Sequence, residues 1–442
     1  MVGIVMFFAA LVLLVAGYPV AFTFGAVALV FGGIAVFIEL TPGISLLPFA
    51  VEFVSMFSMM PFRIYSIMTN TILMAIPLFI LMGIILQKSE LAERLLESMG
   101  ILFGKVRGGL AISTVMVGAL LAASTGVVGA SVVAMGVISL PVMLKHGYSK
   151  RLSTGTICAS GTLGQLIPPS IVLIILGDVF QQPVGDLFQA ALMPGLVLVG
   201  AYILYIVVIS LLKKDVAPII RVPEEDQKGM ILRAVIAIVP PLALIVMVLG
   251  SIFMGVATPT ESASVGALGA MVLAACFRKL NRKVIIEASL ETVKITAMVF
   301  AILIGATAFS MVFVYTGADY IVEDFMMGLP GEKWGFLILS MISIMILGFF
   351  IDFIEISYIV VPILLPIANA IGINPLWFAI LIATNLQTSF LSPPFGFSLF
   401  YLKGVSPPGI ETVDIYRGVI PFITLQLMVL ASIVLIPGIY GL

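Results

Sequence analysis

Gly161-Thr162-Leu163-Gly164-Gln165-Leu166-Ile167-Pro168-Pro169-Ser170 lies inside an apolar run, and no α-helix passes through it unbroken. The two adjacent prolines remove two amide donors and leave the preceding carbonyls without helical partners. In a bilayer such backbone is tolerated only where it is buried in protein or lines a cavity. Gln387-Thr388-Ser389-Phe390-Leu391-Ser392-Pro393-Pro394-Phe395-Gly396 is built in the same way. At a single offset of 225 residues Pro168 falls on Pro393 and Pro169 on Pro394, and so do Pro141 on Pro366 and Gly147 on Gly372, without a gap. The chain therefore contains an internal repeat. Each copy reads as a re-entrant hairpin followed by a helix interrupted near its middle.

The surroundings of these stretches explain the need for them. Of the 442 residues 62% are hydrophobic and only 10% charged, against roughly 25% charged in a soluble domain. Apolar runs long enough to span a bilayer recur from end to end. A net charge of −1 argues against a nucleic-acid partner. Cys158 and Cys276 both lie in apolar stretches and read as packed free thiols. The first run, 2–15, has no basic residues before it and reads as a retained membrane segment rather than a signal peptide.

Basic residues orient the runs. Of 21 Lys and Arg, 19 fall in loops that alternate with acidic ones; only Arg63 and Lys333 lie on the other side. The positive-inside rule then places the basic loops in the cytoplasm and both termini in the periplasm. This gives an all-α polytopic membrane protein whose two repeats have opposite topology. The first, 1–212, holds scaffold helices over 1–87, a hairpin over 109–145 and a broken helix over 153–180. A charged cytoplasmic linker covers 213–230. The second, 231–442, holds scaffold helices over 231–316, a hairpin over 334–371, a broken helix over 374–402 and a final helix over 417–440. Residues 41–62, with three prolines and Glu52, read as an amphipathic arm along the outer interface. Inverted repeats with broken helices at the midplane are the architecture of secondary transporters.

The chemistry expected there is cation binding. The first hairpin tip, Ser124-Thr125-Gly126-Val127-Val128-Gly129-Ala130-Ser131, brings small and hydroxylic residues into an apolar run. Hydroxyls and freed carbonyls make an uncharged oxygen cage suited to sodium. Site one is read as Ser124, Thr125, Gly126, Gly129 and Ser131 facing Gly161, Thr162, Gly164 and Pro168. Site two is read as Gly348, Asp352, Glu355 and Ser357 at the second tip with Thr388, Ser389, Ser392, Pro393 and Gly396. Substrate contacts are assigned to Gln165, Pro169, Ser170 and Pro394, where helix N-termini created by the breaks would point partial positive charge at a carboxylate. A proline kink with glycines for close helix packing is the alternative for either segment alone. Acidic residues inside a membrane segment are functional candidates, so Asp352 and Glu355 either bind sodium, carry protons, or pair with backbone at the tip. Glu261, in Thr258-Pro259-Thr260-Glu261-Ser262, reads as a helix cap, the lone His146 as a solvated loop residue, and Trp334 and Trp377 as interfacial anchors. No Ser-His-Asp set, metal-spaced cluster, phosphate loop or ATP-binding motif is visible, which disfavours an enzyme and leaves no cofactor beyond sodium as coupling ion.

Ile76-Pro77-Leu78-Phe79 followed by Gly83, Leu166-Ile167-Pro168-Pro169-Ser170, Thr258-Pro259-Thr260-Glu261, Gly348 with Asp352, Gly372-Ile373-Asn374-Pro375 and Ser392-Pro393-Pro394-Phe395-Gly396 together resemble signatures of the large membrane subunit of TRAP (tripartite ATP-independent periplasmic) transporters. The resemblance covers nearly the whole chain. It implies an elevator-type importer of an organic acid, such as a C4-dicarboxylate or sialic acid, in the bacterial inner membrane. It also implies two partners: a small four-helix membrane subunit, expected here as a separate polypeptide, and a periplasmic substrate-binding protein. Two motifs depart from the family pattern. The first tip replaces a Gly-Ser-Ser-like run, and Ser392 stands where Thr often precedes the Pro-Pro. A stand-alone sodium/dicarboxylate or ion transporter of similar architecture is the competing reading. A channel would leave the repeat without a purpose.

Overall fold

The structure, a computed structural model, describes residues 1–40, 46–89, 99–100, 102–104, 106–126, 128–219 and 230–442, without the side chains of 46, 122–125, 230, 231 and 233. Among the described residues the chain is helical and contains no strand. The elements are α1 (Val2–Val15), α2 (Val20–Glu39), α3 (Leu46–Met56), α4 (Met60–Thr69), α5 (Ala75–Lys88), α6 (Gly109–Thr125), α7 (Val128–Lys145), α8 (Lys150–Thr162), α9 (Ile171–Phe180), α10 (Val184–Leu212), α11 (Met230–Phe253), α12 (Pro259–Cys276), α13 (Arg282–Tyr315), α14 (Ala318–Met327), α15 (Lys333–Leu347), α16 (Phe353–Ala370), α17 (Pro375–Leu391), α18 (Phe397–Val405) and α19 (Thr412–Leu435). Eight helices among the described residues are long and apolar enough to cross a bilayer. The protein is a multi-pass membrane protein.

The repeat is visible in the local backbone. In each copy a helix with an internal proline, Pro141 or Pro366, ends before a glycine with positive φ, Gly147 (+79°) or Gly372 (+74°). A new helix begins three residues later, at Lys150 or Pro375. A side chain would strain either glycine position, since φ there lies in the left-handed region. Both proline pairs, Pro168–Pro169 and Pro393–Pro394, have cis peptides.

The chain divides into two compact units, each drawing on both halves of the sequence. The first comprises 1–73 and 294–375; the second 74–293 and 376–442. This division cuts across the repeat boundaries at 212 and 231, so compactness here does not follow the internal duplication. In the first unit α1, α2 and the distal part of α13 form an apolar core. A Cβ on Gly305 would meet the Ala21 carbonyl at 2.6 Å, so glycine lets α13 lie on the α2 backbone. Phe24 and Phe309 meet edge to face with centroids 5.2 Å apart. In the second unit α5 packs on α12, where Gly266 gives room to the Met82 sulfur, and α8 lies in the middle of a bundle with α6, α7 and α19.

Several elements depart from the sequence reading. The 41–62 arm is built of α3 and α4 and reaches Thr69, and Leu47–Thr69 is long and apolar enough to span. Pro48 and Pro61 sit in the first turns of these helices, where a missing amide costs nothing. Residues 41–45 of that arm lie outside the described residues, as do 220–229 of the linker. Within the expected scaffold region 231–316, the long helix α13 begins at Arg282. Arg282 and Lys283, counted among the basic loop residues, open this helix, and its charges are paired: Lys88 with Glu287 and Glu291 at 3.3 Å each, and Lys283 with Glu287 at 3.9 Å. The final helix spans Thr412–Leu435, followed by a 3₁₀ turn at Pro437–Tyr440. Cys158 is buried but Cys276 is exposed, because it sits in the last turn of α12. Trp377 is not an interfacial anchor: it is 6% exposed, and its indole N–H donates to the Ile433 carbonyl at 3.0 Å. Trp334 is half exposed at the start of α15.

Candidate functional site

In the second unit α6 and α7 form the first hairpin, and its turn is made at Gly126 with φ +61°. A Cβ there would also press on Ile171, at 3.0 Å from Cγ1, so the tip abuts the first residue after the break in the helix. Two further glycines bring the hairpin onto α8. A Cβ on Gly118 would lie 2.5 Å from that of Ser160, and one on Gly161 would overlap Val132. The sequence-predicted segments are therefore brought together. The side chains of Ser124 and Thr125 and the whole of Val127 lie outside the described residues.

The break itself runs from a 3₁₀ turn at Leu163–Gln165 to Ser170, the residue before α9. Prolines 168 and 169 withhold the amides that would close the turns begun by Gly164 and Gln165. The Ser170 hydroxyl replaces one, donating to the Gln165 carbonyl at 2.7 Å. The Thr162 hydroxyl donates to Ala159 at 2.9 Å. Each hydroxyl thus spends its proton on a carbonyl and keeps its lone pairs for another group. Gly161, Thr162, Gly164, Gln165, Pro168, Pro169 and Ser170 are all buried. Gln165 differs from its neighbours: at 0% exposure neither its amide nitrogen nor its amide oxygen has a hydrogen-bond partner. Buried polar groups without partners are rare enough that each calls for an explanation.

The second broken helix, α17 and α18, belongs to the same unit. Thr388 donates to Thr384 at 3.0 Å, Ser389 to Leu386 at 2.8 Å and Ser392 to Thr388 at 2.8 Å. Gly396 closes the loop, because a Cβ would crowd the Phe390 and Ser392 carbonyls at 2.7 and 2.8 Å. The Tyr416 hydroxyl donates to the carbonyl of Pro394 at 2.7 Å. Beyond the loop α18 lies along α7, with Gly129 against the Tyr401 ring and Gly136 against Leu402 and Val405. Gly129, assigned from sequence to the first broken helix, thus faces the second. Ser131 is buried on the same helix.

The second hairpin, α15 and α16, belongs to the first unit. Gly348 is the cap after α15, and Asp352 opens α16. The Asp352 carboxylate accepts from the Phe353 amide at 2.7 Å, which is a capping role. Glu355 is 2% exposed and keeps one carboxylate oxygen without a partner, as does the hydroxyl of fully buried Ser357. The helix widens to a π turn over Ile356–Val360, a local geometry often found at functional sites. Glu261 caps α12: its carboxylate accepts from the Thr258 amide at 2.8 Å, and its own amide donates to the Thr258 hydroxyl at 3.3 Å.

Sequence reasoning missed one polar group in the second unit. Tyr202 of α10, Gln387 of α17 and Gln426 of α19 are all 0% exposed. The Tyr202 hydroxyl lies against both amides, yet none of these groups has a hydrogen bond of acceptable geometry. Tyr202 and Gln426 were single polar side chains in apolar runs, and Gln387 opened the second break without being assigned a role.

Broken helices cradled by a hairpin, inside a bundle of spanning helices, define a membrane transport protein. The family model described as tripartite ATP-independent periplasmic transporter, DctM component, matches residues 6–439. The chain belongs to that family of transport proteins and is not an enzyme. It is 31% identical over 378 residues to a C4-dicarboxylate TRAP transporter large permease protein of Pseudomonas aeruginosa, covering 85% of this chain and 87% of that one. It is 28% identical over 369 residues to a sialic acid TRAP transporter large permease protein of Vibrio cholerae, covering 83% and 85%. The fold is similar to that of the Alcanivorax borkumensis YdaH transporter, described as having an unusual topology, with TM-score 0.63 and 12% identity over 98% of this chain and 99% of that one.

Proposed function

We propose that this chain is the large permease subunit of a sodium-coupled importer of an organic acid in the bacterial inner membrane. It acts with a small membrane subunit and a periplasmic substrate-binding protein, and works as an elevator. The observation that carries the reading is Gln165. Its amide is fully buried and unpartnered at a helix break whose carbonyls have lost their amides, and the hairpin tip at Gly126 closes over the residue that follows. An amide offers an oxygen to a cation and an N–H to a carboxylate from the same carbon. Sodium entering beside the freed carbonyls and the Thr162 and Ser170 hydroxyls gives this uncharged site a positive charge that an anion can follow. The N-terminus of α9, which starts at Ile171, adds partial positive charge. Thr388 and Ser392 supply a second set of oxygens in the same unit. Glu355 supplies a buried acid in the other. The two named relatives handle a C4-dicarboxylate and sialic acid, and both of those substrates carry a carboxylate.

The test is uptake into liposomes that hold this chain with its small partner, with loaded binding protein outside and with or without an inward sodium gradient. Uptake should require both sodium and the binding protein. Uptake by the chain alone, indifferent to the binding protein, would replace this reading with a stand-alone transporter.

A further inference from the structure

A polar cavity lies in the second unit, where α8 begins, α10 ends and α19 begins. Its volume is about 460 Å³. Lys150, Arg151, Lys213 and Arg417 line it against one carboxylate, Asp414. Lys150 donates to the Gly409 carbonyl, and Asp414 accepts from the Glu411 amide at 3.3 Å. Among the described residues Arg151, Lys213 and Arg417 form no ion pair, and Asp414 is the one carboxylate in the lining, so the cavity carries a net positive charge. Two of these residues are placed by a close helix crossing. Gly155 and Gly418 meet backbone to backbone, which fixes Arg151 on α8 and Arg417 on α19 about one turn or less from the crossing.

The walls of the cavity are not uniformly polar. Tyr205 and Ile209 of α10 form one side, two turns and one turn before Lys213, the residue that caps that helix. Beside that stripe runs another on the same helix, Leu204, Val208 and Leu211, exposed by 64%, 44% and 63%. A cationic pocket at the end of a spanning helix therefore has an exposed apolar stripe on the neighbouring face of that helix. A soluble anion would use the first feature and ignore the second. A phosphodiester with acyl chains uses both, since guanidinium forks match phosphate oxygens and the chains follow the stripe.

From this geometry we infer that the pocket holds the phosphate headgroup of an anionic phospholipid, with its acyl chains along the 204/208/211 face of α10. The site is separate from the helix breaks and does not depend on which solute the protein carries. Thermal unfolding of the full chain in detergent tests it, with dihexanoyl phosphatidylglycerol, dihexanoyl phosphatidylcholine and inorganic phosphate as probes. Phosphatidylglycerol should raise the melting temperature saturably and phosphatidylcholine should not. In R151Q/R417Q the half-saturating concentration should rise about 25-fold, about fivefold for each charge removed, while K333Q leaves it unchanged. Should R151Q/R417Q not fold, K213Q alone is expected to show the fivefold shift. An equal response to phosphatidylcholine, or an undiminished response in the charge variants, would overturn the site. An equal response to inorganic phosphate would reassign it to a soluble anion and overturn the lipid.

Discussion

Gly155 and Gly418 touch backbone to backbone: a Cβ on Gly418 would lie 3.0 Å from the Gly155 amide nitrogen and overlap the Arg151 carbonyl. Neither neighbour is the movable end of a side chain, so the helices must part to admit a methyl group. Gly155→Ala and Gly418→Ala are expected to destabilise by about 1–3 kcal/mol, the range for forced overpacking. Gly200, in the interior of α10, has nothing within 4 Å of its Cβ position. There Gly200→Ala should be neutral or stabilising by roughly 0.5–1 kcal/mol. Melting temperatures of the three variants in one detergent check the contrast. Equal shifts at all three sites would refute the close crossing.

Gln165 separates stability from function. Removing a buried polar group that has no partner relieves a desolvation penalty of about 1–3 kcal/mol. Gln165→Met, similar in volume, is therefore expected to melt at or above the wild-type temperature while sodium-driven uptake falls at least tenfold. Ordinary core residues lose both together. A Gln165→Met variant with normal uptake would show that the amide serves neither ion nor substrate.

How much of this was legible beforehand depended on whether a residue's neighbours were local in sequence. The proline pairs and the glycines at 147 and 372 act on their own backbone, and the hairpins and breaks followed from them. The capping role of Glu261 was legible for the same reason, since Thr258 is three residues away. Tyr202, Gln387 and Gln426 meet only in the folded bundle, and nothing local in sequence links Gln387 at the second break to the other two. The start of α13 was lost because hydropathy counts charges as loop; the partner Lys88 of Glu287 and Glu291 lies some 200 residues earlier. Trp377 misled because a tryptophan at a helix end reads as interfacial unless its acceptor, the Ile433 carbonyl, is known.

Asp352 and Glu355 looked alike in sequence, and the structure gives them different work. Asp352 caps α16 through the Phe353 amide, so Asp352→Ala should cost about 1 kcal/mol of stability and Asp352→Ser much less. Glu355 has a buried oxygen with no partner, so Glu355→Gln should leave the melting temperature near wild type but alter the cation dependence of uptake. Uptake measured against sodium concentration at several pH values decides the point. A Glu355→Gln profile that overlays the wild type would remove Glu355 from the transport cycle.

Glu261 carries the opposite expectation. One oxygen of its carboxylate and its amide are engaged with Thr258 in a reciprocal cap on α12. Thr258→Ala and Glu261→Ala each remove half of that box, and each should cost about 1 kcal/mol. The double variant should cost less than the sum, because the first substitution already breaks the reciprocity. The half-saturating sodium concentration for uptake should stay at its wild-type value in all three. A shift in that value without a shift in melting temperature would mean that the acid at the head of α12 takes part in cation coupling and does not merely hold a helix end.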